Sequence, residues 1–171
     1  MNPPLILAID PGSKMGWAAG QAGGHPTSAS ERVPLEGLLE WLQQFFTDKK
    51  PDMVVVEAML PLRAYARLKT AEHSVYLAAR QHGVIQALTG LWKIPYHEPD
   101  VLAVRQHFTG ARSHGGRKEG KRAVIGRCHQ LRYLPRDCVD NDRADALATW
   151  DFACATLARK PPKELVMFAA A

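Results

Sequence analysis

The chain has 171 residues, enough for one domain with a proper core. At 46% hydrophobic and 23% charged residues it is not an intrinsically disordered chain. Lys and Arg number 22 against 17 Asp and Glu, and the resulting formal charge of +5 suits a polyanionic partner without identifying one. Cys128, Cys138 and Cys154 form no Cys-x-x-Cys pair and have no His at zinc-finger spacing, which points to free thiols in a reducing compartment. No run approaches a membrane span and no signal-type stretch opens the chain, so the expectation is a soluble, cytoplasmic protein with no membrane partner.

In chain order, Leu5 to Ile9 is an apolar run that ends at Asp10, and Pro11-Gly12 follows as a turn. Met15 to Gly20 reads as the returning strand, Gly23 to Pro26 as the next turn, and Thr27 to Val33 as a third strand, together an antiparallel meander. Pro34 is placed to open a helix at its first position, and Leu35, Leu38, Leu39, Leu42, Phe45 and Phe46 follow at helical spacing. Met53 to Val56 is β-branched and continuous, as in a central parallel strand, and it too is followed by a carboxylate, Glu57. Tyr65 to Leu88 reads as a long helix with Gly90 as its stop, Ile94 to His97 as a short strand, and Pro99 to about Phe108 as another helix. Residues 109–117 are loop-like, and a helix resumes near Lys118. Pro135 falls at its end or in the following turn, and a last helix runs from about Asn141 to Leu157. This order predicts an α/β fold, a mixed sheet of antiparallel meander plus parallel strands flanked by helices. Residues 1–158 read as one domain and 159–171 as a loosely held tail.

The carboxylates carry the chemistry. Asp10 and Glu57 each end an apolar strand, where open α/β sheets place their ligands. Asp142 and Asp145 are three apart near the start of an Ala-rich helix, so they share one face. Either could simply cap the helix or offset its dipole, as could Asp140 and Asn141. Capping does not explain two acids at two strand ends. Four convergent carboxylates with no His or Cys ligand favour Mg²⁺, with Mn²⁺ able to substitute. Two such ions held roughly 4 Å apart activate water and stabilise the leaving oxygen in phosphodiester hydrolysis.

Basic residues follow the same theme. Arg112, Arg117, Lys118, Lys121 and Arg122 fall within eleven residues, opposed only by Glu119. They read either as phosphate contacts or as a solvated face, and the loop's place before an acidic helix favours the first. Arg63, Arg67 and Lys69 are placed to track a backbone, and Tyr65 either stacks on a base or packs at a helix start. His97 ends a strand and either approaches the acids or packs. The helix over 71–88 is more apolar than one packed face requires.

Leu5 to Gly12 (LILAIDPG) with Ser13-Lys14-Met15-Gly16-Trp17 resembles the first hairpin of RuvC-type Holliday junction resolvases. VVVE at 54–57 resembles their second acidic strand, and DRADALA at 142–148 their C-terminal acidic helix. The resemblance covers about residues 5–157 in element order. Similarity outside the three motifs is thin, as in a divergent, phage-type member. It implies a ribonuclease H-like fold, a homodimer joined through the 71–88 helix, Mg²⁺, and paired nicks across a four-way DNA junction. Asp10, Glu57, Asp142 and Asp145 would then be both catalytic and metal-binding, with Lys121, or else Lys118, assisting. The family places an aromatic wedge three residues after the second acid, and here Leu60 stands in that position, serving either as an apolar wedge or as a buried turn. Other substrates on the same fold are forks, flaps and RNA–DNA hybrids, and a non-catalytic DNA-binding protein is a further alternative. A sugar-kinase or actin-like ATPase shares the first hairpin, but the chain is small and lacks a second phosphate-binding Gly-rich loop.

Overall fold

The computed structural model describes residues 2–59, 61 and 72–158. Leu60, Arg63, Tyr65, Arg67, Lys69, the first turns of the helix expected from Tyr65, and the tail from Arg159 lie outside the described residues.

Five strands form one mixed sheet: β1 (Leu5–Asp10), β2 (Met15–Gln21), β3 (Thr27–Glu31), β4 (Met53–Val56) and β5 (Tyr96–His97), in the spatial order β3-β2-β1-β4-β5. The first three pair antiparallel, while β1 with β4 and β4 with β5 pair parallel. Five helices are described: α1 (Leu35–Lys49), α2 (Glu72–Leu91), α3 (Val101–Thr109), α4 (Arg117–Gln130) and α5 (Asn141–Thr156).

Strand alternation divides the core in two. Leu7, Ile9, Met15, Ala19, Val54 and Val56 face α1 and α2 through Leu38, Leu42, Phe46, Ile85 and Leu88. Ile6, Ala8, Ala18 and Val55 face the other way, toward α3, α4 and α5. Burying each large side chain contributes roughly 1.5–3 kcal/mol, so each layer is held mainly by its apolar contacts. Among the described residues no helix is long and apolar enough to cross a membrane.

Several boundaries differ from expectation, each for a physical reason. Strand β3 stops at Glu31 because its partner β2 begins opposite, at Met15. Pro34 stands just outside α1 with extended dihedrals, and Leu35 is the first helical residue. Asp100 caps α3 by accepting from the Ala103 N–H at 2.9 Å, so that helix starts at Val101. Gly90 lies inside α2 and does not stop it. The helix ends instead in a Schellman turn, with Lys93 left-handed (φ 55°), Lys93 N–H bonded to Gly90 O at 3.1 Å and Ile94 N–H to Thr89 O at 2.9 Å. Ile94 packs against the core after that turn, which leaves only Tyr96 and His97 to pair with β4. Tertiary packing of Ile94 thus outweighs the local tendency of a glycine to end a helix.

Candidate active site

Asp10 is the last residue of β1 and Glu57 the first after β4. The strands are parallel neighbours, with Ile9 beside Val56, and the Glu57 N–H donates to Ile9 O at 3.0 Å. By alternation Asp10 follows Ala8, and Glu57 follows Val55, onto the face covered by α5. Asp142 and Asp145 occupy the beginning of that helix.

The close approach of α5 to the sheet depends on small residues. On this face β2 presents Gly16, Ala18 and Gly20. Gly16 lies directly across from Asp10 in the sheet. A Cβ on Gly16 would stand 1.9 Å from the Asp142 carbonyl oxygen and 2.4 Å from its carbonyl carbon. Only a glycine therefore permits the backbone of Asp142 to rest on the hairpin beside Asp10. Further along α5, Trp150 closes over Gly20 and donates from Nε1 to its carbonyl at 3.2 Å.

The four acids are partly exposed and act on one another. Burial, then repulsion from Glu57, Asp145 and Asp142, pushes Asp10 well above the usual carboxylate range, with Lys121 opposing. Burial and Asp145 push Glu57 up to about 8 against Arg105 and Lys121. Burial raises Asp145 to about 6, with Lys121, Arg105 and Arg117 holding it down and Asp142 adding to the rise. Carboxyl groups in this condition take up protons or a cation.

The charges that oppose them come from α3 and α4. Lys121 Nζ lies 3.8 Å from Asp145 Oδ2. Arg105 reaches from α3 to α4 and lies against buried Gly120, where a Cβ would meet the guanidinium carbon at an ordinary contact distance of 3.7 Å. Arg105 escaped the sequence reading because a single arginine in an amphipathic helix looks like a solvated residue, and only the packing of α3 on α4 brings it to the acids. Arg117, Lys118, Arg122 and Arg112 are exposed on α4 and the loop before it. His97 pairs with Val55, two residues short of Glu57.

Asp140 has a different role. It caps α5 by accepting from the Arg143 N–H at 3.2 Å, pairs with Lys14 Nζ at 2.6 Å and accepts from the Ser30 hydroxyl. Burial alone would raise it, but the bonds from Lys14, Ser30 and Arg143 outweigh that and hold it down to about 2. Asp140 therefore ties the β1–β2 turn and β3 to the start of α5. Lys14 stood inside the quoted hairpin motif, yet nothing in the sequence marked it as Asp140's partner.

An all-carboxylate donor set is the chemistry of hard divalent ions. Among the described residues, no three His, Cys, Asp or Glu side chains stand together closely enough to hold one ion. The set fits such ions in donor type and in its raised proton affinity, and its side chains would have to rotate inward to close around one.

No family model and no curated protein matches the chain. Solved structures do. Thermus thermophilus RuvC in complex with a Holliday junction substrate is 18% identical with a TM-score of 0.62, over 85% of this chain and 90% of that one. A second Thermus thermophilus RuvC structure is 16% identical with a TM-score of 0.61, over 90% and 97%. The yeast mitochondrial Holliday junction resolvase Ydc2 is 11% identical with a TM-score of 0.59, over 90% and 79%. The chain therefore has the RuvC-type, ribonuclease H-like fold.

Proposed function

We propose that this chain is a divalent-metal-dependent endonuclease that resolves four-way DNA junctions, with residues 1–158 as the nuclease unit and 159–171 as a tail outside it. The observation that carries the reading is the convergence of Asp10, Glu57, Asp142 and Asp145 from three elements, with Asp10, Glu57 and Asp145 raised in proton affinity and opposed by Lys121 and Arg105. The fold it shares with two resolvases supports the same class.

In this reading the four carboxylates hold Mg²⁺, or Mn²⁺ in its place. Bound there, such ions lower the pKa of an attacking water and stabilise the leaving oxygen of a phosphodiester. The chain's own residues prepare the site. Asp10, Glu57 and Asp145 give up protons as the ions enter. Lys121 and Arg105 oppose the protonation of Asp145 and Glu57 and offer positive charge to the scissile phosphate. Gly16 fixes the height of α5 above the sheet, and Asp140 with Lys14 and Ser30 locks its first turn. Arg112, Arg117, Lys118 and Arg122 contact the backbone of the bound strand, Arg63 and Arg67 track a backbone as well, and Leu60 serves as the wedge at the branch point.

Two copies cut strands of like polarity symmetrically. Helix α2 suits the interface. Its inner face packs through Ile85 and Leu88, while Ala79, Gly83, Ala87 and Gly90 form an exposed row of small residues flanked by Tyr76 at 65% and Leu91 at 79% exposure.

The test is incubation with a four-way junction, a fork and an RNA–DNA hybrid, each in Mg²⁺ or EDTA. Paired, symmetric nicks in the junction that disappear in EDTA are expected. Cleavage confined to the RNA of the hybrid, or to forks, would move the substrate within the same fold. No cleavage of any of them would leave only DNA binding.

A further inference from the structure

The basic residues Arg117, Lys118, Lys121 and Arg122 occupy the first half of α4. Beyond its last turn lies a groove of about 960 Å³ between the start of β3 and the connection from α4 to α5. Its lining includes His25, His129, Arg132, Arg136 and Arg143, and no Asp or Glu. Arg143 directly follows Asp142, so the groove begins one residue from the acids.

Its walls are fixed. Helix α4 ends in a Schellman turn like that of α2: Arg132 is left-handed (φ 59°), its N–H bonds His129 O at 3.1 Å, and the Tyr133 N–H bonds Cys128 O at 2.9 Å. Tyr133 packs edge-on against both Trp150 and His25, and its hydroxyl donates to Asp151 at 2.8 Å. His25 Nε2 bonds Arg132 O at 2.9 Å, which joins the β2–β3 turn to the end of α4. Arg143 donates from Nε to Ser28 Oγ at 2.8 Å, so its guanidinium is aimed while its terminal nitrogens stay free of that bond. Among the described residues, none of the ion pairs includes Arg132, Arg136 or Arg143. An arginine loop serving only solubility has no need of such bracing. Three guanidinium groups without a carboxylate partner along one braced groove are each open to a phosphate oxygen.

We propose that this groove holds the phosphate backbone of a DNA arm that leaves the cleavage site past the C-terminal end of α4, with Arg132 and Arg136 each contacting a phosphate and Arg143 contacting the one nearest the acids. The inference rests on the nuclease reading and extends it, because it adds phosphate contacts past the C-terminal end of α4 to those of the basic stretch at its start.

The experiment measures junction affinity in Ca²⁺ or EDTA over a series of salt concentrations. The full-length chain is compared with the Arg132→Gln/Arg136→Gln double variant and with Lys49→Gln/Lys50→Gln, which removes the same charge at the end of α1. Two lost phosphate contacts should flatten the slope of log K against log salt by about 1.8 and weaken binding at least about 10-fold near physiological salt. The Lys49/Lys50 pair should keep the wild-type slope. Arg136→Gln alone should flatten the slope by about 0.9. This residue is exposed, and its side chain makes no hydrogen bond among the described residues, so the single variant tests the groove without touching the Arg132 turn. A double variant with wild-type slope and affinity overturns the proposal while leaving the nuclease reading intact. An equal loss in the Lys49/Lys50 pair also overturns it, since net charge would then be the cause. Wild-type protein without affinity for any DNA overturns both.

Discussion

On one face of the sheet Leu7, Ile9, Met15, Val54 and Val56 meet Leu38, Leu42, Phe46, Ile85 and Leu88, all large and closely buried. On the other, Gly16, Ala18 and Gly20 of β2 and Ala8 of β1 meet a helix that carries Ala144, Ala146 and Ala148. The first face keeps its helices at side-chain distance and gains apolar burial. The second lets a helix backbone touch a strand, and this contact brings Asp142 beside Asp10. Both sides bury apolar side chains, Trp150 and Leu147 among them on the α5 side, but only there do small residues under the start of the helix set the site. The two faces should therefore fail differently when mutated.

The largest effects belong to the acids. Amide replacement of Asp10, Glu57, Asp142 or Asp145 keeps shape and removes charge, and each should lower junction cleavage at least about 100-fold in Mg²⁺. Binding should persist, since removing anionic charge relieves repulsion with phosphate. Fully active Asp10→Asn, with contaminating nuclease excluded, would end the mechanism.

Gly16→Ala against Leu42→Ala tests the contrast itself. The added methyl at Gly16 must displace the start of α5, and cleavage per folded molecule should fall at least about 10-fold, as expected for misplaced catalytic groups. Leu42→Ala should cost about 2–5 kcal/mol in denaturant unfolding, yet leave the rate per folded molecule near wild type. A Gly16→Ala enzyme that cuts normally would mean that the close backbone contact is dispensable.

A smaller effect links pH to the ions. Asp10, Glu57 and Asp145 all have raised pKa values in the folded chain, so each binds its proton more tightly folded than unfolded. The stability they contribute is complete below their ordinary values of 3.8 to 4.5. It is lost as pH rises through about 6 for Asp145 and about 8 for Glu57. Melting in EDTA should therefore fall between pH 5 and 9, measured relative to the Glu57→Gln variant. Mg²⁺ should raise the melting temperature more at pH 8 than at pH 5, by at least about 3 °C. An equal Mg²⁺ effect at both pH values would detach the ions from these carboxyls.

The smallest effect is expected of Asp140→Asn. An amide still caps a helix, so the loss is the solvent-exposed Lys14 pair, a small one in water, with a few-fold change in cleavage. A dead Asp140→Asn enzyme beside an active Asp142→Asn enzyme would move the ligand two residues upstream.

Much of this protein can be read from its sequence because the deciding signals are local. An apolar run predicts a buried strand, and a carboxylate at its end is out of place in a core, so Asp10 and Glu57 stand out without any coordinates. Helical spacing likewise puts Asp142 and Asp145 on one face, and the order of elements leaves few sheets to choose from. Other features depend on distant partners. Three acids stand within six residues at the start of the last helix; Asp140 caps it through the Arg143 N–H, and only the tertiary structure adds Lys14 and Ser30 as its partners. Gly90 looks like a helix stop until Ile94 packs beyond it. Gly16 looks like any strand glycine until α5 lies on it, and Arg105 looks solvated until α3 packs against α4. Periodicity and caps fix what each segment becomes and which way its faces point, because those depend on neighbours a few residues away. Which backbone comes to rest against which is decided by packing between separate elements, some of them far apart in the chain as Gly16 and Asp142 are, and for that pairing the sequence carries no local signal.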